Sequence, residues 1–298
     1  MPTTDQMSAA PGGVVWVFFT EGFLFRSNDR GDTWVERALP PQSVSPRGNV
    51  TFIDGQRGWL NSSGSPETEC NAEGTAIWQT TDGAASWQQV AVVDGVAPST
   101  SGIADAQCKE NLSFVDPTHG FLAAWDDNHQ PTIYRTSDAG HTWKGANLPD
   151  PPGFVTQGGG FSLRAGVVRG FDTTLLVPAT GMNAASGQLS TYVYRSVDGG
   201  ATWTDLGTLP NPGGSIGFVT ATRWLQIVEP DQSSETTDAG STWHSYATDY
   251  SQAAPIAPEV VFGDPLVGYA TVRGGIQRTT DGGANWAFIN TPGTLQSG

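Results

Sequence analysis

The sequence predicts an all-β fold: a single β-propeller of six recognised four-stranded blades, with a seventh blade left open. Three observations lead there. An eight-residue pattern, Ser/Thr-x-Asp-x-Gly-x-Thr-Trp, is clearest at Ser196 to Trp203 and recurs around Asp29, Asp82, Asp138, Asp198, Asp238 and Asp281. Each Asp is followed five positions later by a tryptophan: Trp34, Trp87, Trp143, Trp203, Trp243 and Trp286. Successive repeat aspartates stand 53, 56, 60, 40 and 43 positions apart, near the roughly 40–50 residues of a four-stranded propeller blade. The chain holds 38 Gly and 20 Pro but is only 14% charged, the composition of many short strands joined by tight turns.

Taken in order, residues 1–13 are small and polar and read as a flexible N-terminal tail. Val14 to Phe19 is apolar but far shorter than the ~18 residues of a membrane span, and stands directly before a repeat; it reads as a strand rather than a signal-peptide core. The propeller spans 14–291. Its blades fall at about 14–40, 48–93, 111–148, 161–209, 215–247 and 258–291, and 292–298 reads as a C-terminal tail. Blade 1 shows strands B, C and D but no evident strand A. Either the N-terminal segment supplies it, or the ring closes on a three-stranded blade, or the chain belongs to something longer.

A second pattern, Phe-x-Asp-x-x-x-Gly-aromatic, precedes several repeats: Phe52/Asp54/Gly58/Trp59, Phe114/Asp116/Gly120/Phe121 and Phe262/Asp264/Gly268/Tyr269, with a decayed copy at Phe218/Trp224. It reads as strand A, a tight turn and strand B. Alternating stretches such as Leu24-Phe25-Arg26 and Val193-Tyr194-Arg195 then lead into the repeats as strand C. The repeat itself is the C–D turn. Its Asp accepts hydrogen bonds from backbone N–H groups further on, its Gly supplies a backbone angle closed to other residues, and its Trp packs between neighbouring sheets. All six copies therefore read as staples of the fold. A calcium loop is the rival for such a turn, but each copy offers too few acids. The second copy departs from the pattern, with Gly83 followed by Ala84.

These turns resemble the Asp-box, or bacterial neuraminidase repeat, of β-propellers. That superfamily includes sialidases, xyloglucan-cleaving glycosidases, sortilin-type receptors and photosystem II assembly-factor-like proteins. The resemblance covers residues 14–291. It is specific for fold and unspecific for activity. It implies that the repeats lie on the face of the A–B and C–D turns and that a ligand site is expected on the opposite face, that of the B–C and D–A loops.

The acids on that loop face come from 61–76, 94–111 and 126–131: Glu67, Glu69, Glu73, Asp105, Glu110, Asp126 and Asp127, with His129 beside them. Glu67, Glu69, Asp105, Asp126, Asp127 and His129 are the candidate binding residues. They read as a solvated acidic rim, or as a carboxylate pair or cation site. His129 has no second His at ligand spacing, so no metal site is expected. Cys70 and Cys108, the chain's two cysteines, fall in adjacent loops of this corner. A Cys70–Cys108 disulfide is expected, implying an oxidising compartment; the alternative is two neighbouring thiols.

Sialidases resemble one another in three arginines, a Tyr/Glu nucleophile pair and an acid Asp. Here the early Arg-Ile-Pro motif is absent. Arg26, Arg135, Arg195 and Arg278 repeat with the turns and read as strand-C surface residues. Arg164, Arg223 and Arg273 remain as a candidate trio, with Asp126, Asp127 and Glu110 as candidate catalytic acids; Tyr192, Tyr250 and Tyr269 show no legible Glu partner. Photosystem-type relatives use an arginine patch that this acidic chain does not display. A formal net charge of −15 excludes nucleic acid and anionic membrane as partners, since both demand a basic surface. No phosphate-loop, metal or cofactor pattern stands out; Gly158-Gly159-Gly160 lacks the following Lys-Ser/Thr. The reading is a monomeric, noncatalytic, secreted or periplasmic or cell-surface recognition propeller that binds a protein or carbohydrate without a cofactor. The alternative is a divergent glycoside hydrolase, sialidase-like or another exo-glycosidase.

Overall fold

The computed structural model describes residues 4–19, 22–40, 48–63, 74–93, 100–105, 107–126, 129–152, 163–182, 187–211, 214–228, 232–250, 259–272 and 275–292. They form six antiparallel sheets and no helix, arranged as a closed six-bladed propeller. Blade 1 is Thr4–Ala10, Val14–Phe19, Phe23–Ser27 and Val35–Arg37. Blade 2 is Asn49–Phe52, Gly58–Ser63, Thr75–Thr80 and Gln88–Val93. Blade 3 is Cys108–Phe114, Gly120–Trp125, Thr132–Thr136 and Lys144–Asn147. In blade 4 strand A is broken into Arg164–Ala165 and Arg169–Phe171, both paired with Thr174–Met182; Leu189–Ser196 and Thr204–Thr208 complete it. Blade 5 is Ser215–Phe218, Trp224–Ile227, Ser234–Thr236 and His244–Ser245. Blade 6 is Val260–Phe262, Gly268–Val272, Gly275–Thr279 and Trp286–Ile289. The expected order A-B-C-D holds in each, and no seventh blade forms.

One expectation is overturned. The segment read as a flexible tail is strand A of blade 1, with Met7 opposite Val17 and Ala10 opposite Val14. Met7, Ser8 and Ala10 are buried there. Met7 packs into the closing seam beside Val15 and Val17, but its neighbours Gln6, Ser8, Ala9 and Ala10 are small or polar, so no apolar alternation marks this strand in the sequence.

Every blade is a continuous stretch of chain, so the ring closes by side chains alone. Six apolar clusters fill six seams, one between each pair of adjacent blades. The closing seam, blade 6 on blade 1, packs Val261, Val267, Tyr269 and Ile276 against Val15, Val17 and Phe19.

The two sequence patterns together build these seams. In the second pattern Phe52, Phe114 and Phe262 stand directly across the A–B hairpin from Gly58, Gly120 and Gly268. A Cβ at Gly120 would lie 2.5 Å from the Phe114 ring, so only glycine lets the ring fold over its partner strand. Phe52 then stacks on Trp16 of blade 1, and Phe114 on Trp59 of blade 2, each at 3.6 Å between ring centroids. On their other side they meet the edges of Trp87 and Trp143. The indole N–H of Trp16 donates to Asp54 O and that of Trp59 to Ala139 O, each in the following blade. The A–B Asp caps its own turn: Asp54 accepts from the Gln56 and Arg57 amides, Asp116 from Thr118 and His119, Asp264 from Leu266 and Val267.

The C–D turns are uniform. At Asp198, the Ser196 hydroxyl donates to Oδ1 (2.8 Å) and accepts from the Gly200 amide (2.9 Å), while the Thr202 amide and hydroxyl donate to Oδ1 and Oδ2. The two residues after each Asp are left-handed, including Arg30, Ala84, Ala139 and Ala239. At Gly200 a Cβ would also lie 2.7 Å from Phe121 of blade 3, so glycine answers both the angle and the close approach.

These hydrogen bonds favour the ionised carboxylate. Asp29 is held down to about 2, first by the Ser27 hydroxyl and then by Thr33; Asp82 and Asp238 are held at about 2, first by the Ser86 and Thr242 hydroxyls. A carboxylate whose folded value lies below its unfolded one stabilises the fold above the unfolded value and loses that contribution as pH falls through the folded one. Thermal unfolding followed by circular dichroism should therefore hold steady above about pH 5 and fall progressively from about pH 4 towards pH 2. The variant Asp238→Asn should show a shallower decline over that window.

Candidate functional site

The loop-face corner is partly described. Glu67, Glu69, Glu73, Cys70, Asp127 and Arg273 lie outside the described residues. Trp125 ends strand B of blade 3, Arg164 begins strand A of blade 4, and the exposed Arg164 guanidinium lies over the Trp125 ring at 3.6 Å. Asp126 follows directly; it accepts from the His129 amide (2.9 Å) and stands 2.9 Å from His129 Nδ1, which closes a short turn. Gln107 reaches Asp126 and Thr132 and accepts from the Tyr134 hydroxyl. Asp105 is exposed beside this group, and Glu110 lies half-buried on strand A of blade 3. The corner therefore gathers Trp125, Asp126, His129 and Arg164. Among the described residues no group of three or more His, Cys, Asp or Glu is placed to hold a metal ion. Cys108 is buried at the start of strand A of blade 3 and is not a free thiol.

The candidate arginine trio does not converge. Arg223 lies in the A–B turn of blade 5, on the opposite face from Arg164. Its Nε donates to Glu235 (2.7 Å) and its Nη2 to Gly282 O in the repeat turn of blade 6 (2.9 Å). It is an inter-blade strap. The strand-C arginines do similar work where described: Arg26 donates to Gly55 O of blade 2, and Arg278 to Arg30 O and Asp32 of blade 1. Tyr192, Tyr250 and Tyr269 are buried in the seams, and burial raises the Tyr250 and Tyr269 hydroxyls to about 12. None is exposed as a nucleophile.

A cavity missed in the sequence lies at the axis. It has a volume of about 610 Å³ and is formed by strands A and the A–B turns of all six blades, with Pro11, Ile53, Val115, Phe171, Ile216 and Pro265 among its walls. It therefore sits towards the turn face, away from the loop face where the site was expected. Arg169 and Glu259 line both this cavity and a smaller void deeper in the channel. Glu259 accepts from the Met7 amide (2.8 Å) across the closing seam. Burial pushes the Arg169 guanidinium below its ordinary value, while the Glu259 carboxylate opposes that shift. Arg169 falls in the broken strand A of blade 4, where the repeat is too irregular to flag it.

No known family profile matches the chain. Over 181 residues, 59% of its length, it is 29% identical to a xyloglucanase of Paenibacillus sp. and 28% identical to the xyloglucanase Xgh74A of Acetivibrio thermocellus. The aligned stretch is 15% and 18% of those proteins, so the chain spans less than a fifth of the relatives it matches. Among solved structures it is similar to the GH93 α-L-arabinofuranosidase of Fusarium graminearum in complex with arabinobiose (13% identical, TM-score 0.58, covering 89% of this chain and 86% of that one). It is also similar to the GH74 enzyme of Niastella koreensis (16%, 0.54, 95% and 46%) and to YCF48 bound to D1 peptide (18%, 0.50, 94% and 93%). At these identities the likeness establishes the propeller fold.

The two described arginines separate by function. Arg223→Ala removes a charge-assisted pair and an inter-blade hydrogen bond, so it should destabilise the protein by about 2–3 kcal/mol in urea unfolding. Arg164→Ala removes an exposed cation–π contact and should cost less than about 1 kcal/mol.

Proposed function

We propose that the protein is a noncatalytic recognition propeller of the Asp-box type that binds a protein or carbohydrate through its B–C/D–A loop face. One observation carries the reading: three described acids, on the loop face and at the axis, already hold structure together. Asp126 closes the His129 turn, Glu259 seals the seam to Met7, and Asp264 caps the Leu266–Val267 turn. Glycoside hydrolysis needs one carboxyl free to donate a proton and a second free to attack or to activate water. The exposed guanidinium of Arg164, seated on Trp125, offers a rigid donor surface for ligand hydroxyl or carbonyl groups. A Cys70–Cys108 disulfide, the pairing open to the chain's two cysteines, suits an extracytoplasmic location. Titration of the unfolded chain should find no thiol before reduction and two after it.

The 181-residue similarity to xyloglucanases favours a second reading, glycoside hydrolysis on the same face. A glycan array and a titration with xyloglucan oligosaccharides, run beside a panel of fluorogenic glycosides, decide between them. Recognition is upheld by saturable binding without turnover, weakened by Arg164→Ala. Turnover of any glycoside that Asp126→Ala abolishes would establish the hydrolase reading instead.

A further inference from the structure

The loop-face reading leaves the axial cavity unused, and its chemistry is specific. About 610 Å³ is the size of a pocket for a small organic molecule, within the usual range of roughly 300–1,000 Å³. Its walls are largely apolar, and its depth holds one guanidinium. Among the described residues Glu259 is the electrostatic neighbour of Arg169. Arg169 is half-buried at the cavity wall, so its guanidinium, with five N–H donors, stays accessible to whatever fills the cavity. Its charge is balanced. Glu259 opposes it at the same depth, and Asp264 adds a second negative charge to the lining. The cavity therefore offers hydrogen-bond donors beside opposing carboxylates rather than an uncompensated positive charge. The lip is rigid, because the A–B turns around it are capped by Asp54, Asp116 and Asp264 and, in blade 5, by Thr220, which accepts from the Thr222 and Arg223 amides.

We infer that this cavity, on the face opposite the proposed recognition loops, binds an uncharged, mostly apolar small molecule whose carbonyl or ether oxygen accepts hydrogen bonds from Arg169. The apolar body fills the channel mouth between Ile53, Val115, Phe171 and Ile216, and the oxygen points inwards.

The test uses the neutral naphthyl ketone Prodan, with the anionic dye 1,8-anilinonaphthalene sulfonate beside it. Prodan should bind at one saturable site with blue-shifted, enhanced emission. Arg169→Met keeps the apolar stem and removes the donors, and should weaken binding at least about tenfold, the scale of a charge-assisted hydrogen bond. Arg164→Met, on the other face, should leave Prodan binding unchanged, so failure of this site and failure of the loop-face reading remain distinguishable. A second measurement needs no variant: 2-acetylnaphthalene should displace Prodan from the native protein at about a tenfold lower concentration than 2-ethylnaphthalene. Absence of saturable Prodan binding, equal displacement by ketone and hydrocarbon, or tighter Arg169-dependent binding of the sulfonate would each overturn the inference.

Discussion

The structure depends on closing the ring without a shared strand. Each blade takes its four strands from one continuous stretch, so no backbone ladder joins blade 6 to blade 1. The closing seam is held by side chains at three depths. Near the axis, Glu259 accepts from the Met7 amide. Midway, the Val261–Tyr269–Ile276 surface packs on Val15, Val17 and Phe19. Further out, Arg278 grips Arg30 O and Asp32, and the Trp34 indole donates to Asn290 O. Hydrogen bonds to charged groups contribute about 1.5–3 kcal/mol each, so this seam is not weaker in kind than the others. Comparable axial links run Gln6 to Val50, Asn49 to Leu112 and Asn111 to Ala165. Among the described residues such side-chain-to-backbone bonds cross four of the six seams near the axis, and Glu259 makes the one across the closing seam.

Much of this was legible from a few residue types. The Asp, Gly and Trp of the repeat mark the C–D turn because that turn has one solution: two successive left-handed residues over a carboxylate that accepts from four positions on. The Phe…Gly-aromatic pattern was legible as a hairpin but not as a seam. Its meaning lies in the cross-strand pairing of Phe114 with Gly120, and in a stacking partner, Trp59, from another blade. Strand A of blade 1 was illegible for the reason given by its burial. Gln6, Met7, Ser8 and Ala9 line or border the channel, and of these Met7 alone carries a large apolar side chain, so no alternation marks the strand.

The arginines show where sequence reasoning about sites fails. Arg164 and Arg223 are both unrepeated, and nothing local distinguishes them. Their roles follow from which end of strand A each stands at, and that is a property of the closed ring. Arg223 meets the blade 6 turn at Gly282, whereas Arg164, exposed, lies over Trp125. Arg169 is five residues beyond Arg164, but the break in strand A turns it into the channel. Its importance comes from convergence of six inner strands on one axis, which no local window contains.

The two faces therefore offer different kinds of recognition. The turn face is built from repeated, capped turns whose geometry is fixed by Asp carboxylates and left-handed residues. A cavity ringed by such turns is held to one shape. The loop face is built from connections of unequal length with little repetition, and its described anchors are the Gln107–Asp126–His129 group and the Trp125–Arg164 contact. Such connections carry little of the repeated Asp, Gly and Trp framework that fixes the turn face. The same fold can thus serve glycan cleavage in one protein and peptide binding in another: the constraint that closes the ring is satisfied at the seams and on the turn face, which leaves the loops free to differ.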